Sequence, residues 1–213
     1  EAGRVPEACA VKRVSAVVLA AGCSARMGEA KQLLRIGEQT MLERTIENVR
    51  ASRVEEEVLV LGFEADEIRR AIPAALLDGV RIVVNADYAS GMASSLRVGL
   101  AAANPKSDAA LIVLADQPFV SPETMNEIVE QYCRSDAEIV VPQYQGSRGN
   151  PVLLGRSVFA EAMALEGDVG CRAIFAQQTK GILRVDVDDP GILADIDSRE
   201  DYERLFPTQA KNA

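Results

Sequence analysis

The apolar run Val14 to Ala21 breaks at Gly22 into a polar loop carrying Arg26, Gly28 and Lys31. A short run rich in Val and Leu has the signature of a buried strand. A strand that opens into a glycine loop with fixed cations can hold a polyphosphate. Gly22 and Gly28 allow backbone conformations and close approaches that a Cβ would forbid, and exposed N–H groups with Arg26 and Lys31 can surround anionic oxygens. The loop is neither of the common phosphate loops. Glu29 and Ala30 separate Gly28 from Lys31, no Ser or Thr follows Lys31, and no G-x-G-x-x-G is present. The alternative is a glycine-rich turn with solvated cations.

Charge narrows the ligand. The 213-residue chain carries −9 overall, which disfavours nucleic acid or an anionic membrane as the main partner. Lys12, Arg13, Arg26, Lys31 and Arg35 nevertheless oppose only Glu29 between positions 12 and 35, a local +4 that suits a small anion. The chain contains no histidine, which removes Ser-His-Asp and Cys-His catalysis and histidine metal sites. Chemistry that needs mainly positioning and charge neutralisation survives, with phosphoryl-type transfer foremost. Cys9, Cys23, Cys133 and Cys171 form no C-x-x-C pair, which argues against a zinc site or disulfide scaffold and fits a reducing cytoplasm. Cys23 is either a reactive thiol or a small loop residue. No apolar run reaches the length of a membrane span.

Residues 13–207 are expected to form one α/β domain, with 1–12 a loose lead-in and 208–213 a tail. Met41 to Arg50 predicts a helix with Leu42, Ile46 and Val49 inward and Glu43, Arg44, Glu47 and Asn48 outward. Strands at Val58 to Leu61 and Arg81 to Val84, with a helix from Glu64 to Ala71 between them, indicate βαβ units and a mostly parallel sheet. A helix starting at Ser90 or Gly91 would either aim free N–H groups, Ser94, Ser95 and Arg97 at a ligand or serve as a packing helix.

Asp116 follows the apolar strand Ala109 to Leu114, at the carboxyl end where ligands sit in open parallel sheets. It is a candidate oxygen ligand for Mg²⁺, or else the cap of its own turn. Ser121-Pro122-Glu123 starts a helix with Met125, Ile128, Val129 and Tyr132 inward. Strands follow at Glu138 to Val141 and Pro151 to Leu154, and the loop between them, Gln143 to Gly149, is a lid or a hairpin-like excursion. Asp168 is a plausible N-cap for the next helix, and Ile182 to Val187 is the last strand. Asp195 and Asp197 would share one face if Ile192 to Asp197 were a strand, supplying a further metal contact or a solvated turn. Ser198 with Asp201 predicts a capping box on a final helix, Arg199 to Phe206.

LAAGCSARMGEAKQLL, GMASSLRVGLAA, LADQPFVSPETM, SRGNPVLL, GDVGCRAIF and ILADIDSREDY stand in the order found in the MobA-like nucleotidyltransferases. Together they most resemble the molybdenum cofactor cytidylyltransferase branch. The resemblance spans about Val14 to Leu205 and implies a three-layer α/β/α, Rossmann-like fold with a mixed, mainly parallel sheet. It implies a Mg²⁺-dependent reaction of CTP with the molybdopterin form of the molybdenum cofactor, giving molybdopterin cytosine dinucleotide and pyrophosphate. By the same resemblance Leu19, Ala20, Ala21 and Gly22 line base and ribose, and Arg26 and Lys31 contact the triphosphate. Asp116 holds the metal with Asp195 or Asp197, and Arg148 and Asn150 lie on the acceptor side. Ala20-Ala21-Gly22 is similar to the cytidylyl branch, whereas guanylyl relatives usually carry a second glycine there. The family also implies delivery to a molybdenum hydroxylase of the xanthine-dehydrogenase type.

Overall fold

The structure, a computed structural model, describes residues 12–22, 30–175 and 181–206. Its frame is β1 (Val14–Ala20), whose neighbours are set by alternating side chains. Val14, Ala16, Val18 and Ala20 enter one buried cluster, while Val17 and Ala21 enter a second on the opposite face. This period of two forces cover on both sides. The small hairpin β2 (Arg35–Ile36) and β3 (Gln39–Thr40) leads into α1 (Met41–Arg50). Next come β4 (Glu56–Leu61), α2 (Ala65–Ala71), α3 (Ala74–Leu77), β5 (Arg81–Val84) and α4 (Met92–Ala102).

The second half runs β6 (Ala109–Leu114), α5 (Pro122–Arg134), β7 (Ile139–Tyr144), β8 (Ser147–Arg148), β9 (Val152–Gly155) and α6 (Phe159–Met163). It closes with α7 (Arg172–Phe175), β10 (Ile182–Asp186) and α8 (Arg199–Leu205). The main sheet has the order β10-β7-β9-β6-β1-β4-β5, with β8 hairpinned onto β7. β4, β5 and β6 join the β1 block in parallel, β10 runs parallel to β7, and β9 is antiparallel to both β6 and β7. Helices α1, α2 and α5 cover one face, and α4, α6 and α7 the other. The expected mixed, mainly parallel α/β sheet with helices is therefore present. Leu111 is fully buried in its centre, so Leu111→Ala would cost roughly 2–5 kcal/mol.

Several local expectations change. Glu43 is buried rather than outward, because its carboxylate and the Thr40 hydroxyl cap α1 reciprocally. Asn48 also turns inward, donating Nδ2 to the carbonyls of Pro118 (3.1 Å) and Val120 (3.0 Å). Of the two readings of the Gln143 to Gly149 loop, the hairpin is the one present, and its two turn residues, Gln145 and Gly146, both have positive φ. Asp195 and Asp197 do not lie in a strand. Pro190–Leu193 forms a 3₁₀ turn, and 194–197 runs outside the sheet. Among the described residues no helix is long and apolar enough to cross a membrane.

Candidate active site

β1 and β6 are parallel neighbours, with Leu19 opposite Leu114 and the Ala115 N–H on the Leu19 carbonyl at 3.1 Å. The chain therefore leaves both strands at one level, and Ala21-Gly22 and Asp116 emerge side by side. Gly62 admits this crowding, since a Cβ there would stand 2.7 Å from the Ala21 carbonyl oxygen. Lys31 begins the 3₁₀ turn Lys31–Leu33 and sends its Nζ back across this edge. The ammonium lies 2.7 Å from Asp116 Oδ2 and 2.9 Å from Asp197 Oδ1.

Both acidic segments are locked in place. The Ile196 N–H donates to the Asp116 carbonyl at 3.0 Å, and the Ile196 side chain is fully buried. Gln117 donates Nε2 to the Ile192 carbonyl at 3.2 Å and to the Asp195 carboxylate. Asp189 secures the same segment against the start of α5, accepting from Ser121 N–H and Oγ (2.9 Å each), Thr124 Oγ1 (2.7 Å) and Gly191 N–H (2.8 Å). Burial alone would raise the Asp189 carboxyl, but these donors outweigh it and hold it below the usual carboxylate range.

Electrostatics at the cluster run in opposite senses. Burial works to lower the Lys31 ammonium, yet the attraction and hydrogen bond of Asp116, then of Asp197, prevail and hold it above its ordinary value. Lys31 therefore stays charged. Asp195 is pushed up by burial of its carboxylate and by the charges of Asp116 and Asp197, against the opposing Gln117 amide and Lys31. Beside these groups lies a cleft of about 230 Å³. Leu19, Met92, Leu96, Ile112 and Leu114 form its apolar wall, and Asn150, Arg172 and Asp195 supply polar atoms. Cys171 also lines it, but burial pushes its thiol up to about 12, so it is a neutral wall atom.

The oxygen donors fit a hard divalent cation. Asp116 Oδ1 is buried without a hydrogen-bond partner, with Asp195 and Asp197 anchored to the same turn. Among the described residues, however, no group of three or more His, Cys, Asp or Glu makes a closed metal cage. That combination suits an ion held by one or two carboxylates that keeps waters and takes substrate phosphates.

Lys31, Asp116, Asp195 and Asp197 thus converge, with Leu19 and Asn150 on the adjoining cleft. Arg26 and Gly28 lie outside the described residues. Ser94 and Ser95 are turned into the protein, both buried and accepting from Asn85 Nδ2, at 2.7 and 3.0 Å, as the packing-helix alternative has it. The start of α4 is likewise occupied. The Ala93 N–H reaches the Gly167 carbonyl (3.2 Å) and the Met92 N–H reaches Asp168 Oδ1 (3.3 Å), so Asp168 caps α4 and not the helix that follows it. Gly91, at φ 109°, allows this contact, for a Cβ would stand 2.4 Å from Gly167. Arg97 instead donates to the Leu165 carbonyl at 2.8 Å, and the Arg148 guanidinium lies over the Phe175 ring. Gln32, Gln117 and Arg172 carry no role in the sequence reading; the signal for the two glutamines was their place beside Lys31 and Asp116 in otherwise apolar surroundings.

Known proteins resemble this chain over most of its length. Nicotine blue oxidoreductase of Paenarthrobacter nicotinovorans is 32% identical over 205 residues, covering 91% of this chain and 96% of its own. The molybdenum cofactor cytidylyltransferase of Escherichia coli K12 is 25% identical over 191 residues, covering 89% and 93%. Rv0371c from Mycobacterium tuberculosis H37Rv superposes with a TM-score of 0.79 at 34% identity, covering 93% of this chain and all of that one, and has also been solved as a manganese complex. The model of the MobA-like NTP transferase domain matches residues 16–182, and to that family this chain belongs.

Proposed function

We propose that the protein transfers CMP from CTP to the terminal phosphate of molybdopterin, with Mg²⁺, releasing pyrophosphate. The observation that carries this reading is the meeting of Lys31 with Asp116 and Asp197 at the carboxyl edge of β1 and β6, beside a cleft able to seat an acceptor. The similarity to a cytidylyltransferase and the Ala20-Ala21-Gly22 triplet favour cytosine as the base.

The reaction joins an acceptor phosphate oxygen to the α-phosphorus of CTP and breaks its bond to the bridging oxygen of the β-phosphate. The nucleophile is already ionised at neutral pH, so no general base is needed, in keeping with a chain that lacks histidine. The difficulty is bringing two anions together and stabilising the departing pyrophosphate. Lys31, fixed by two carboxylates, offers a preorganised positive charge to the phosphates. Asp116, with Asp195 or Asp197, would hold Mg²⁺, which supplies further charge neutralisation when bound. Leu19, Met92, Leu96, Ile112 and Leu114 would give the acceptor an apolar wall to lie against.

Pyrophosphate release with molybdopterin, Mg²⁺ and either CTP or GTP tests the reading. Turnover with CTP well above that with GTP is expected. Preference for GTP would replace the base assignment, and tight CTP binding without pyrophosphate release would make the protein a carrier.

A further inference from the structure

The 3₁₀ turn that carries Lys31 toward Asp116 carries Gln32 in the other direction. Gln32 is only 2% exposed. Its Nε2 donates to the Ala20 carbonyl at 2.9 Å and to the Gly22 carbonyl at 3.2 Å. Both neighbours are pure acceptors, so the chemistry requires the NH₂ end of the carboxamide to face them. The intervening Ala21 carbonyl accepts from the Phe63 N–H at 3.3 Å. All three carbonyls at the end of β1 are therefore engaged by protein donors.

A trans peptide points its N–H opposite to its C=O. Fixing the Ala20 and Ala21 carbonyls consequently aims the Ala21 and Gly22 N–H groups away from Gln32 and Phe63. Neither N–H meets an acceptor among the described residues. Gln32 Oε1 is itself buried without a partner. A carboxamide that spends both protons on a strand end and orphans its oxygen is poorly optimised for stability. Such a choice makes sense where the conformation of the strand end matters more than the stability of the side chain.

We infer that Gln32 is a positioning residue for nucleotide binding: it locks the Ala20–Gly22 peptides with their N–H groups turned toward the bound nucleotide. This rests on the nucleotide reading proposed above. Gln32 need not touch the substrate, and Asp116 does not depend on it.

Two variants of equal length separate positioning from packing. Gln32→Met keeps the shape and removes both donors; Gln32→Glu puts an oxygen where the NH₂ stood, against two carbonyls. For both, titration calorimetry should show CTP binding weakened by roughly tenfold or more, the scale of one or two lost neutral hydrogen bonds, with Glu the worse. KM for CTP should rise in parallel, kcat should change far less, and Mn²⁺ affinity measured without nucleotide should match wild type. Wild-type CTP affinity in Gln32→Met would overturn the assignment. Wild-type protein that binds neither CTP nor GTP would overturn the nucleotide reading along with it, so the two failures are distinguishable. If neither variant folds, the wild type still decides. Its Gln32 side-chain NH₂ protons should be protected from exchange in NMR spectra and stay protected on adding CTP, and freely exchanging protons would refute the bracket.

Discussion

The two ends of the same sheet are built on opposite plans. At the amino end, Ser15 Oγ donates to Glu56 Oε2 at 2.7 Å and lies 2.6 Å from Ser107 Oγ. The Asn104 N–H and Arg81 complete the Glu56 carboxylate at 2.7 and 3.3 Å. At the carboxyl end, three buried oxygens have no partner, Gln32 Oε1, Asp116 Oδ1 and Gln117 Oε1, and three aspartates gather around one lysine. Among the described residues these are the buried side-chain polar atoms left unsatisfied. Each such group costs about 1–3 kcal/mol. A polar network completed at one end suits that end to stability, whereas acceptors left open at the other are what the proposed ligand site calls for.

The most direct way to break this contrast is at Asp116. Asp116→Ala should lower metal-dependent turnover by about a thousandfold or more, beyond the effect of deleting a single preorganised donor. Retained turnover at saturating CTP and Mg²⁺ would remove Asp116 as the principal metal ligand. Lys31→Ala follows, with an expected loss of about a hundredfold in kcat/KM, or about 2.7 kcal/mol of transition-state stabilisation. Because Lys31 is held above its ordinary 10.5, its stabilising contribution is complete below that pH and is lost only as pH rises through the higher folded value. Wild type and Lys31→Met should accordingly converge in stability only in strong alkali, a point that alkaline denaturation curves check.

How much of this could be read in advance depended on range. Strands β5 and β6, helix α1 and the capped start of α5 follow from local periodicity and capping chemistry, and their bounds agree with the sequence reading. Lys31 and Asp116 were legible because each follows a strand that must end at the ligand edge of a parallel sheet. What joins them was not. Lys31 and Asp197 lie 166 positions apart, and Gln117 and Asp195 lie 78 apart, so no local pattern reports either contact. The Asp195–Asp197 alternation imitated a strand, but Pro190 initiates a 3₁₀ turn and the backbone donor of Ile196 goes to the Asp116 carbonyl rather than to a ladder. Ser94 and Ser95 left two readings open for a related reason: an exposed helix start and one covered by a distant loop look identical in sequence.

The amino end offers the converse test. Glu56→Ala strips the acceptor from Ser15, the Asn104 N–H and Arg81 at once, and should cost about 1–3 kcal/mol in urea unfolding with an unchanged m value. Its KM and kcat should remain those of wild type. A several-fold loss of turnover in folded protein would erase the division between the two ends.

The smallest expected effect is also the most diagnostic in sign. Asp195 is raised by burial of its carboxylate and by Asp116 and Asp197, so its ionisation opposes folding. A raised carboxyl contributes its stability below the unfolded value and loses it as pH climbs through the folded one. Asp195→Asn, which can still accept from Gln117, should therefore match wild type in acid and become the more stable protein toward neutrality. Asp195 is exposed as a residue, so the gain should not exceed about 0.5 kcal/mol. If Asp195 also serves bound Mg²⁺, the same variant should weaken Mn²⁺ binding while raising Tm, an exchange of function for stability that a purely structural carboxylate would not show. Tm measured at pH 4 and pH 7.5, with Mn²⁺ titration at the higher pH, resolves it. A neutral-pH Tm below wild type would place Asp195 with the stabilising groups of the amino end.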